Sequence, residues 1–551
     1  MEKLRTAVIG MGNMGSKYAG LIAAGKIDRM ELAAVTRVRP ERMEALKEVL
    51  SPNLPVYPSA DELYAAVDNG KLKLDAVIIV TPHYAHEKQA VDAFARGLHV
   101  LCDKPAGVYS RQARQMMEAK KPELQYAFVF HQRTFPVYRK LRELVQGGRY
   151  GGLKRVNWVV TDWYRPNAYY QSSSWRATWA GDGGGTLLNQ CPHNLDLLQW
   201  ICGMPVRVQA FCHEGKYHPI QVEDEVTAYM EWENGATGIF IASTGEAPGV
   251  NRLELSMDNA LIVCENGTLR VCELDRPEIE YREKSTDLFG KPGSTWSDME
   301  CGAAQAPYEI VLNNFAAAVL GEEQPVAPGE EAGNSLRLSN AIYLSSWQGR
   351  MVELPLPGTA KEREFEAAFE ECLEKKKLQE IYLAGGCFWG TQRYFDCLSG
   401  VVKTEVGYAN GKTANPTYEQ VKHENTGHAE TVMVLFDGEK ISLEELLEQY
   451  YKVIDPVSVN KQGGDVGIQY RTGIYYTDPS QKKVIEASLD RLQKQYDQPL
   501  AVEALPLSNF YTAEEYHQKY LEKNPGGYCH ISPAMFEEAK AYKGKKKLAD
   551  V

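Results

Sequence analysis

The stretch Leu4-Arg5-Thr6-Ala7-Val8-Ile9-Gly10-Met11-Gly12-Asn13-Met14-Gly15 decides the fold of the first part of this chain. An apolar strand candidate runs into a G-x-G-x-x-G turn, and a helix-forming segment follows. Glycines at these positions permit a tight turn, a close approach of the backbone to a pyrophosphate and tight helix packing, while the helix N-terminus faces the anion. The pattern predicts a dinucleotide site formed by Gly10, Gly12, Asn13, Met14 and Gly15. The alternative is a glycine-rich turn that binds nothing.

The next segments extend this pattern. Apolar runs at Leu32–Thr36, Ala76–Val80 and His99–Cys102 alternate with helical stretches, which is typical of a parallel sheet with crossover helices. The second run ends at Arg37 and Arg39 rather than at the acidic residue that would bind a ribose 2′-hydroxyl group. Guanidinium groups suit a 2′-phosphate, so NADP(H) is favoured over NAD(H), unless these are surface arginines without a ligand.

Beyond about residue 150 the strand candidates follow one another, which predicts a second domain with a largely antiparallel sheet. They are Val156–Trp163, Val206–Cys212, Val226–Trp232, Thr237–Ala242, Leu253–Ser256, Leu261–Cys264 and Thr268–Val271. The stretch Pro355-Leu356-Pro357-Gly358 interrupts regular structure, and the Glu- and Lys-rich segment Lys361–Lys377 is interpreted as a solvated linker helix. We expect domains at residues 1–122 and 123–355, a linker helix at 356–378, and a further domain at 379–551.

Length and composition exclude several classes of protein. A chain of 551 residues is too long for a single core. The net charge of −12 argues against a nucleic-acid partner, and no apolar run is long enough to span a membrane. Eleven scattered cysteines without a C-x-x-C pair fit neither a secreted disulfide framework nor a structural zinc site, so no metal is expected. With no apolar leader before the first strand, a cytoplasmic location is predicted.

Several motifs in the first 355 residues occur together. Thr81-Pro82 precedes His86, and Asp103-Lys104-Pro105 ends another strand candidate. Three glycines, at 183–185, precede Asn189 and the run His193-Asn194-Leu195-Asp196. The set resembles the Gfo/Idh/MocA family of sugar and cyclitol oxidoreductases. The resemblance implies a Rossmann domain followed by an open antiparallel sheet domain, with an NAD(P) cofactor and a small sugar or polyol between them. It also admits a homo-oligomer formed through the sheet domain.

The resemblance implies roles for these residues. Lys104 would lie near the nicotinamide, and His193 would act as acid or base on the reacting hydroxyl group, whose proton must be taken up when the carbinol is oxidised. Asp196 would orient His193 or bind a substrate hydroxyl group, and Asn189 would contact substrate. The remaining cofactor contacts would come from Arg37, Thr81, Pro82, His86 and Asp103. Many members have aspartate where this chain has Asn189. Two alternatives for this part of the chain therefore stay open: a cofactor-dependent reaction without net redox change, and a dinucleotide-binding module without turnover.

A second informative stretch is Ala384-Gly385-Gly386-Cys387-Phe388-Trp389-Gly390, directly after an apolar strand candidate. A helix-forming segment follows, so the thiol of Cys387 lies near a helix N-terminus, where the thiolate is favoured. The alternative is a buried, unreactive cysteine. Five further blocks follow in order, namely Gly407-Tyr408, residues 415–418, 426–430, 464–471 and 524–529. Together they resemble the peptide methionine sulfoxide reductase A (MsrA) family across about residues 379–540.

This second resemblance implies a two-layer α/β sandwich that reduces methionine-S-sulfoxide, protein-bound or free, with thioredoxin as reductant and no bound cofactor. A sulfoxide oxygen is a poor leaving group until it is protonated, so a thiolate and a proton donor are needed together. The residues implicated are Cys387 as nucleophile, Glu430 as acid with a pKa raised by burial, Tyr418, Tyr470 and Asp465 around the sulfoxide, Phe388 and Trp389 against its methyl group, and Cys529 as the resolving thiol. The rival hypothesis for this domain is a redox sensor.

Overall fold

The structure is a computed structural model that describes residues 3–36, 50–173 and 176–543. The chain divides into two compact units, one formed by Met1–His218 with Val222–Cys372 and the other by Pro219–Gln221 with Leu373–Val551. Within the described ranges no helix is long and apolar enough to cross a membrane.

A six-stranded parallel sheet begins the first unit. Its strands are β1 (Leu4–Ile9), β2 (Met30–Thr36), β3 (Val56–Tyr57), β4 (Ala76–Ile79), β5 (His99–Cys102) and β6 (Tyr126–Phe128), in the order β3-β2-β1-β4-β5-β6. Helices Asn13–Ala23, Ala60–Asp68, His86–Ala95 and Ser110–Ala119 lie between them in sequence. All four residues of β4 are buried, as expected for a central parallel strand. The predicted Rossmann domain is confirmed, and its last strand lies beyond the boundary expected at residue 122.

A nine-stranded sheet follows in the same unit. It contains β7 (Leu153–Val160), β8 (Arg207–Glu214), β9 (Glu223–Glu231), β10 (Thr237–Ser243), β11 (Asn251–Met257), β12 (Ala260–Glu265), β13 (Thr268–Leu274), β14 (Ser294–Met299) and β15 (Val352–Glu353), in the order β14-β13-β12-β11-β7-β10-β9-β8-β15. The pair β7 and β10 is parallel, and the other neighbours are antiparallel. The predicted sheet is confirmed, but β14 was missed because its exposed residues show no apolar alternation.

The remaining helices of this unit are Pro136–Gln146, Asn167–Tyr170, Pro192–Cys202, Glu278–Lys284, Pro307–Val319, Gly329–Gln348 and most of Ala360–Lys377. The prediction that the last of these is solvated is wrong. Phe365 and Phe369 are buried, and Glu366 pairs with Arg114 at 2.8 Å. The glutamates that suggested a solvated face bind arginines of the first unit instead.

The second unit is built on a six-stranded sheet. Its strands are β16 (Leu378–Gly385), β17 (Val401–Ala409), β18 (Ala429–Asp437), β21 (Thr472–Tyr476), β22 (Glu503–Pro506) and β23 (Phe510–Thr512), in the order β22-β21-β16-β18-β17-β23, and β19 (Lys461–Gln462) pairs with β20 (Asp465–Val466). The helices are Phe388–Asp396, Tyr418–His423, Leu443–Tyr451, Gln481–Gln493, Tyr520–Lys523 and Pro533–Ala541. The core between sheet and helices includes Leu383, Val432, Leu446 and Ile474, all fully buried.

Candidate active sites

The turn after β1 has the geometry that a dinucleotide site requires. Gly10 has φ +96°, and a Cβ there would lie 2.6 Å from the carbonyl oxygen of Val80. A Cβ on Gly15 would lie 1.9 Å from the carbonyl oxygen of Gly10, whereas one on Gly12 would meet nothing within 4 Å. Gly12 therefore leaves open space beside the N-terminus of helix Asn13–Ala23, which also contains Met14. These residues fit a pyrophosphate. Arg37, on which the NADP(H) prediction depends, lies outside the described residues.

The other predicted cofactor residues surround this turn. Thr81 donates a hydrogen bond to Gln89 at 2.7 Å and is followed by Pro82, the N-cap of a short helical turn. Asp103 accepts a hydrogen bond from Tyr18 at 3.2 Å. His86 is fully buried, and its ring nitrogens lie 2.8 Å and 3.0 Å from the carbonyl oxygens of Thr81 and Pro105. The expected cofactor contact by His86 is therefore corrected to a structural link between the two loops.

Lys104 and His193 meet at the end of β5. The Lys104 ammonium group donates to the carbonyl oxygen of Asn189 at 2.7 Å, and burial lowers its pKa. The His193 ring lies 4.4 Å from the ring of His131, and its Nδ1 atom has no hydrogen-bond partner among the described residues. Burial, His131 and Lys104 together lower the pKa of His193, so its imidazole is neutral and able to accept a proton.

Asn189 and Asp196 differ from expectation in their surroundings. The Asn189 side chain accepts from Tyr169 at 3.2 Å and donates to Asp182 at 3.3 Å. Burial raises the pKa of Asp182 to about 6, so a carboxyl group does stand beside the amide. Asp196 is 1% exposed, and both its oxygens accept from Arg133, at 2.6 Å and 2.7 Å. This buried ion pair leaves Asp196 poorly placed to contact substrate, contrary to the expectation.

In the second unit, the turn after β16 presents Cys387. Gly386 has φ +79°, and a Cβ there would lie 2.5 Å from the side chain of Gln462, so this position requires glycine. Cys387 is the N-cap of helix Phe388–Asp396 and is 6% exposed. The strand-to-helix turn therefore holds the thiol at the helix N-terminus, as the sequence predicts.

Glu430, on β18, lies beside this turn. It is 2% exposed, and its Oε2 atom accepts a hydrogen bond from the Phe388 amide at 3.1 Å. Burial raises the pKa of Glu430 to about 8, which confirms the predicted direction. At neutral pH the group is therefore a carboxylic acid that can donate a proton.

The ionisation of Cys387 corrects one expectation. Burial and the neighbouring Glu430 raise the pKa of the thiol well above its usual value. The Trp389 amide at the helix N-terminus acts in the opposite direction but has a smaller effect. In the free protein the thiol is thus protonated, because desolvation outweighs the helix N-terminus.

Three further predicted residues lie close to Glu430 and Cys387. Burial and Glu430 raise the pKa of Tyr418 to about 12, while a hydrogen bond with Tyr470 lowers it. The pKa of Tyr470 is raised by burial, Glu430, Tyr418, Cys387 and Asp465. Asp465 also raises the pKa values of Cys387 and Glu430. The electrostatic coupling of all five groups shows that the fold brings them to one place.

Aromatic side chains form one wall of this place. Phe388 is 1% exposed, and Trp389 stacks on Tyr520 with ring centroids 3.8 Å apart. The Trp389 indole donates to Nδ1 of His517 at 3.0 Å, and the His517 ring lies 4.6 Å from that of Tyr418. This apolar wall next to an acid suits a methyl sulfoxide.

Cys529 lies against the same helix. A Cβ on Gly390 would lie 2.9 Å from the Cys529 sulfur, so glycine at this position leaves room for the second thiol. Cys529 is partly buried, burial raises its pKa, and it interacts electrostatically with Cys387. Two thiols therefore lie at the first turn of helix Phe388–Asp396.

Comparison with known proteins agrees with this geometry. Residues 379–548 match the family described as Peptide methionine sulfoxide reductase. Over 160 residues, 29% of this chain and 96% of the relative, it is 61% identical to the peptide methionine sulfoxide reductase MsrA of Lachnoclostridium phytofermentans. The chain belongs to the peptide methionine sulfoxide reductase family. The MsrA of Clostridium acetobutylicum is 53% identical over 161 residues, 29% of this chain and 99% of that protein.

The first unit of this reductase matches a different family. Residues 4–131 match the description Oxidoreductase family, NAD-binding Rossmann fold, and residues 138–270 match GFO/IDH/MocA C-terminal domain. A similar solved structure is the WlbA dehydrogenase from Chromobacterium violaceum in complex with NADH and UDP-GlcNAcA, with 27% identity and a TM-score of 0.54 over 65% of this chain and 97% of that chain. Residues 4–270 are thus similar to NAD-binding oxidoreductases of the GFO/IDH/MocA type, and they precede the methionine sulfoxide reductase match in the same chain.

Sequence reasoning missed several residues of the reductase site. His517 and Tyr520 hold Trp389, and Glu514 accepts from the Tyr418 amide at 2.9 Å. No spacing links these residues to Cys387, because they are more than one hundred positions away. In the oxidoreductase unit Asp182 was missed, although its place directly before the three glycines at 183–185 could have indicated it.

Proposed function

We propose that the second unit reduces methionine-S-sulfoxide, protein-bound or free, with Cys387 as nucleophile. The observation that carries this proposal is the buried pair of Cys387 and the protonated Glu430 beside an aromatic wall. The Cys387 sulfur attacks the sulfoxide sulfur while Glu430 gives a proton to the oxygen, which makes that oxygen a leaving group. The Cys387 thiol gives up its proton, the S–O bond breaks and the oxygen leaves as water. A water molecule then adds to the Cys387 sulfur as the S–S bond to methionine breaks, so that methionine departs, Cys387 becomes a sulfenic acid and the protons return to the site.

The other side chains have supporting roles in this proposal. Tyr418 and Tyr470 remain protonated at neutral pH and donate hydrogen bonds to the sulfoxide oxygen. Phe388 and Trp389 hold the methyl group, and Asp465 completes the polar side of the pocket. A pocket with one apolar and one acidic side distinguishes the two arrangements around the sulfoxide sulfur, so the R epimer is not a substrate.

Recycling uses the second thiol. Cys529 condenses with the sulfenic acid to a disulfide and water, and thioredoxin then reduces that disulfide by thiol exchange. The position of Cys529 beside Gly390 supports this step. No cofactor is needed in this unit.

The reductase proposal is tested in a steady-state assay with thioredoxin, thioredoxin reductase and each epimer of methionine sulfoxide. The full chain should consume reducing equivalents with the S epimer, and Cys387→Ser should abolish this activity. Cys529→Ser should allow one turnover and then stop. Activity of Cys387→Ser would overturn the assignment, and a Cys387 that oxidises readily while no methionine forms would favour the redox sensor.

For the first unit we propose oxidation or reduction of a sugar or cyclitol with NAD(P). When bound, the nicotinamide supplies the hydride acceptor or donor. The chain's own residues hold the pyrophosphate at Gly10, Gly12, Asn13, Met14 and Gly15, with Thr81, Pro82 and Asp103 around it. His193 takes the proton of the substrate hydroxyl group, and Lys104, itself held toward its neutral form, orients that hydroxyl. Asn189 and Asp182 contact the adjacent part of the substrate.

NADP(H) is preferred over NAD(H) in this proposal because Arg37 takes the place of an acidic ribose ligand. The test offers the full chain NADP and NAD with a panel of sugars and cyclitols and follows the absorbance of reduced nicotinamide. Lys104→Ala should lose turnover and keep dinucleotide binding. Binding without absorbance change across the panel would favour the alternatives, a reaction without net redox change or a binding module.

We also propose that the first unit forms a homo-oligomer through its sheet, in a reducing cytoplasm. Neighbouring strands β8, β9 and β10 expose Phe211, Tyr229 and Ile239, whose exposed fractions are 59%, 37% and 43%. Exposed apolar residues on one sheet face are typical of an interface. Light scattering on Ile239→Lys, which should dissociate the oligomer, tests this assembly.

A further inference from the structure

His530, the residue after Cys529, lies against the turn that carries Cys387. Its Cε1 atom is 3.7 Å from the position that a Cβ on Gly386 would occupy and 3.5 Å from the corresponding position on Gly390. The Cys529 sulfur is 2.9 Å from that same position on Gly390. The imidazole and the resolving thiol therefore share one small region at the start of helix Phe388–Asp396.

The hydrogen bonding of His530 is unusual. Both ring nitrogens are buried without a well-formed hydrogen bond to a described residue, and the backbone of Gly385 and the charge of Asp465 each act to raise the His530 pKa. A buried polar atom without a partner costs about 1–3 kcal/mol, so each such case in a native structure calls for an explanation. A nitrogen that takes up a proton during the reaction cycle would provide one.

At neutral pH Cys529 still carries a proton, and the neutral ring of His530 is free to accept one as the S–S bond forms. Burial lowers the pKa of His530, against the opposing effect of Asp465, so the imidazole is neutral and can accept a proton. Burial raises the pKa of Cys529, so this thiol keeps its proton until a base removes it. The titratable groups around the ring are Asp465, Cys387, Cys529 and Tyr528, which donates to Asp465 at 3.0 Å.

We propose that His530 is the general base that takes the Cys529 proton and returns it to the departing hydroxide as the Cys387–Cys529 disulfide forms. This inference rests on the proposed reductase function. The S–S bond forms as the S–O bond of the Cys387 sulfenic acid breaks, and the hydroxide leaves as water. The Cys387 sulfur is reduced and the Cys529 sulfur is oxidised, so no outside oxidant is needed. Glu430 serves the earlier step, at the sulfoxide oxygen.

The test separates the two steps in a rapid-quench single turnover of the full chain with methionine-S-sulfoxide and no reductant. Methionine is measured by chromatography, sulfenic acid by dimedone trapping and disulfide by loss of free thiols. In His530→Gln and His530→Ala the methionine burst should stay within about twofold, while disulfide formation slows at least tenfold at pH 7 and sulfenic acid accumulates. The control is His423→Gln, an exposed histidine on helix Tyr418–His423.

Raising the pH should bring the rate of disulfide formation in the His530 variants closer to the wild-type rate, because Cys529 then ionises without a base. Added imidazole should restore disulfide formation in His530→Ala. Disulfide formation at the wild-type rate, or slowing that is equal at every pH, would overturn the proposal. In the wild-type chain itself, the rate of disulfide formation should fall at low pH as His530 becomes protonated. A wild-type rate that does not depend on pH would also contradict the proposal. A wild-type chain without a methionine burst would instead contradict the proposed function.

Discussion

Replacing Glu430 by glutamine should make Cys387 more acidic and the reductase slower. The carboxyl group, with a pKa of about 8, loses its proton before the buried thiol does, and the resulting carboxylate opposes ionisation of the thiol. At an effective dielectric constant of about 20, two charges about 5 Å apart interact by roughly 3 kcal/mol. The Glu430→Gln variant should therefore lower the thiol pKa by up to about two units.

The rate should change in the opposite direction. Glutamine cannot give up a proton to the sulfoxide oxygen, and losing a general acid costs about 10²–10⁴-fold in rate. At pH 7 Glu430 is about nine-tenths protonated, so most wild-type molecules carry the general acid that the variant lacks. Above about pH 8, where wild-type Glu430 is ionised, the variant should therefore hold more thiolate than the wild type, and at pH 7 it should still release methionine far more slowly.

Two measurements test this reasoning in a Cys529→Ser background, which leaves one reactive thiol at the site. The pH dependence of iodoacetamide alkylation at Cys387, read by peptide mass spectrometry, gives the thiol pKa. Rapid-quench methionine formation gives the first-turnover rate. The matched control is Glu486→Gln, an exposed glutamate on helix Gln481–Gln493. An unchanged or higher thiol pKa, or a rate within about threefold of the parent, would refute the account.

Three other substitutions test separate parts of the structure. Gly390→Ala should slow disulfide formation by at least tenfold and spare the methionine burst, because the added Cβ would lie 2.9 Å from the Cys529 sulfur; thiol titration after one turnover measures this. Trp389→Ala should lower kcat/KM for methionine sulfoxide about tenfold or more, mainly through KM, by removing one wall of the pocket; equal kinetics would exclude that wall. Asp196→Ala should destabilise the first unit by about 3 kcal/mol, because Arg133 loses its buried partner. In calorimetry the unfolding transition of the first unit should move to lower temperature, and that of the second unit should stay unchanged.

The sequence predicted the parts of both sites that depend on local backbone geometry. Gly10 and Gly386 adopt positive φ values and lie against neighbouring atoms, so their glycines indicate the turns directly. The ionisation of Cys387 could not be predicted in the same way, because it depends on how deeply the thiol is buried and on Glu430, which is 43 positions away.

Partners on distant segments explain the other differences. The acidic helix Ala360–Lys377 was expected in solvent, and only the folded chain shows Arg111 and Arg114 beside Glu370 and Glu366. Asp196 was expected at the substrate because its motif suggested this, but the ion pair with Arg133 uses both its oxygens. Such pairings cannot be deduced from spacing, since the two members come from different elements.

The most direct test of the central claim is the amount of methionine formed per chain in the absence of any reductant. The wild-type chain should form one methionine per chain from the S epimer, together with loss of the Cys387 and Cys529 thiols, and Cys387→Ser should form none. Methionine from Cys387→Ser, or none from the wild-type chain, would contradict it.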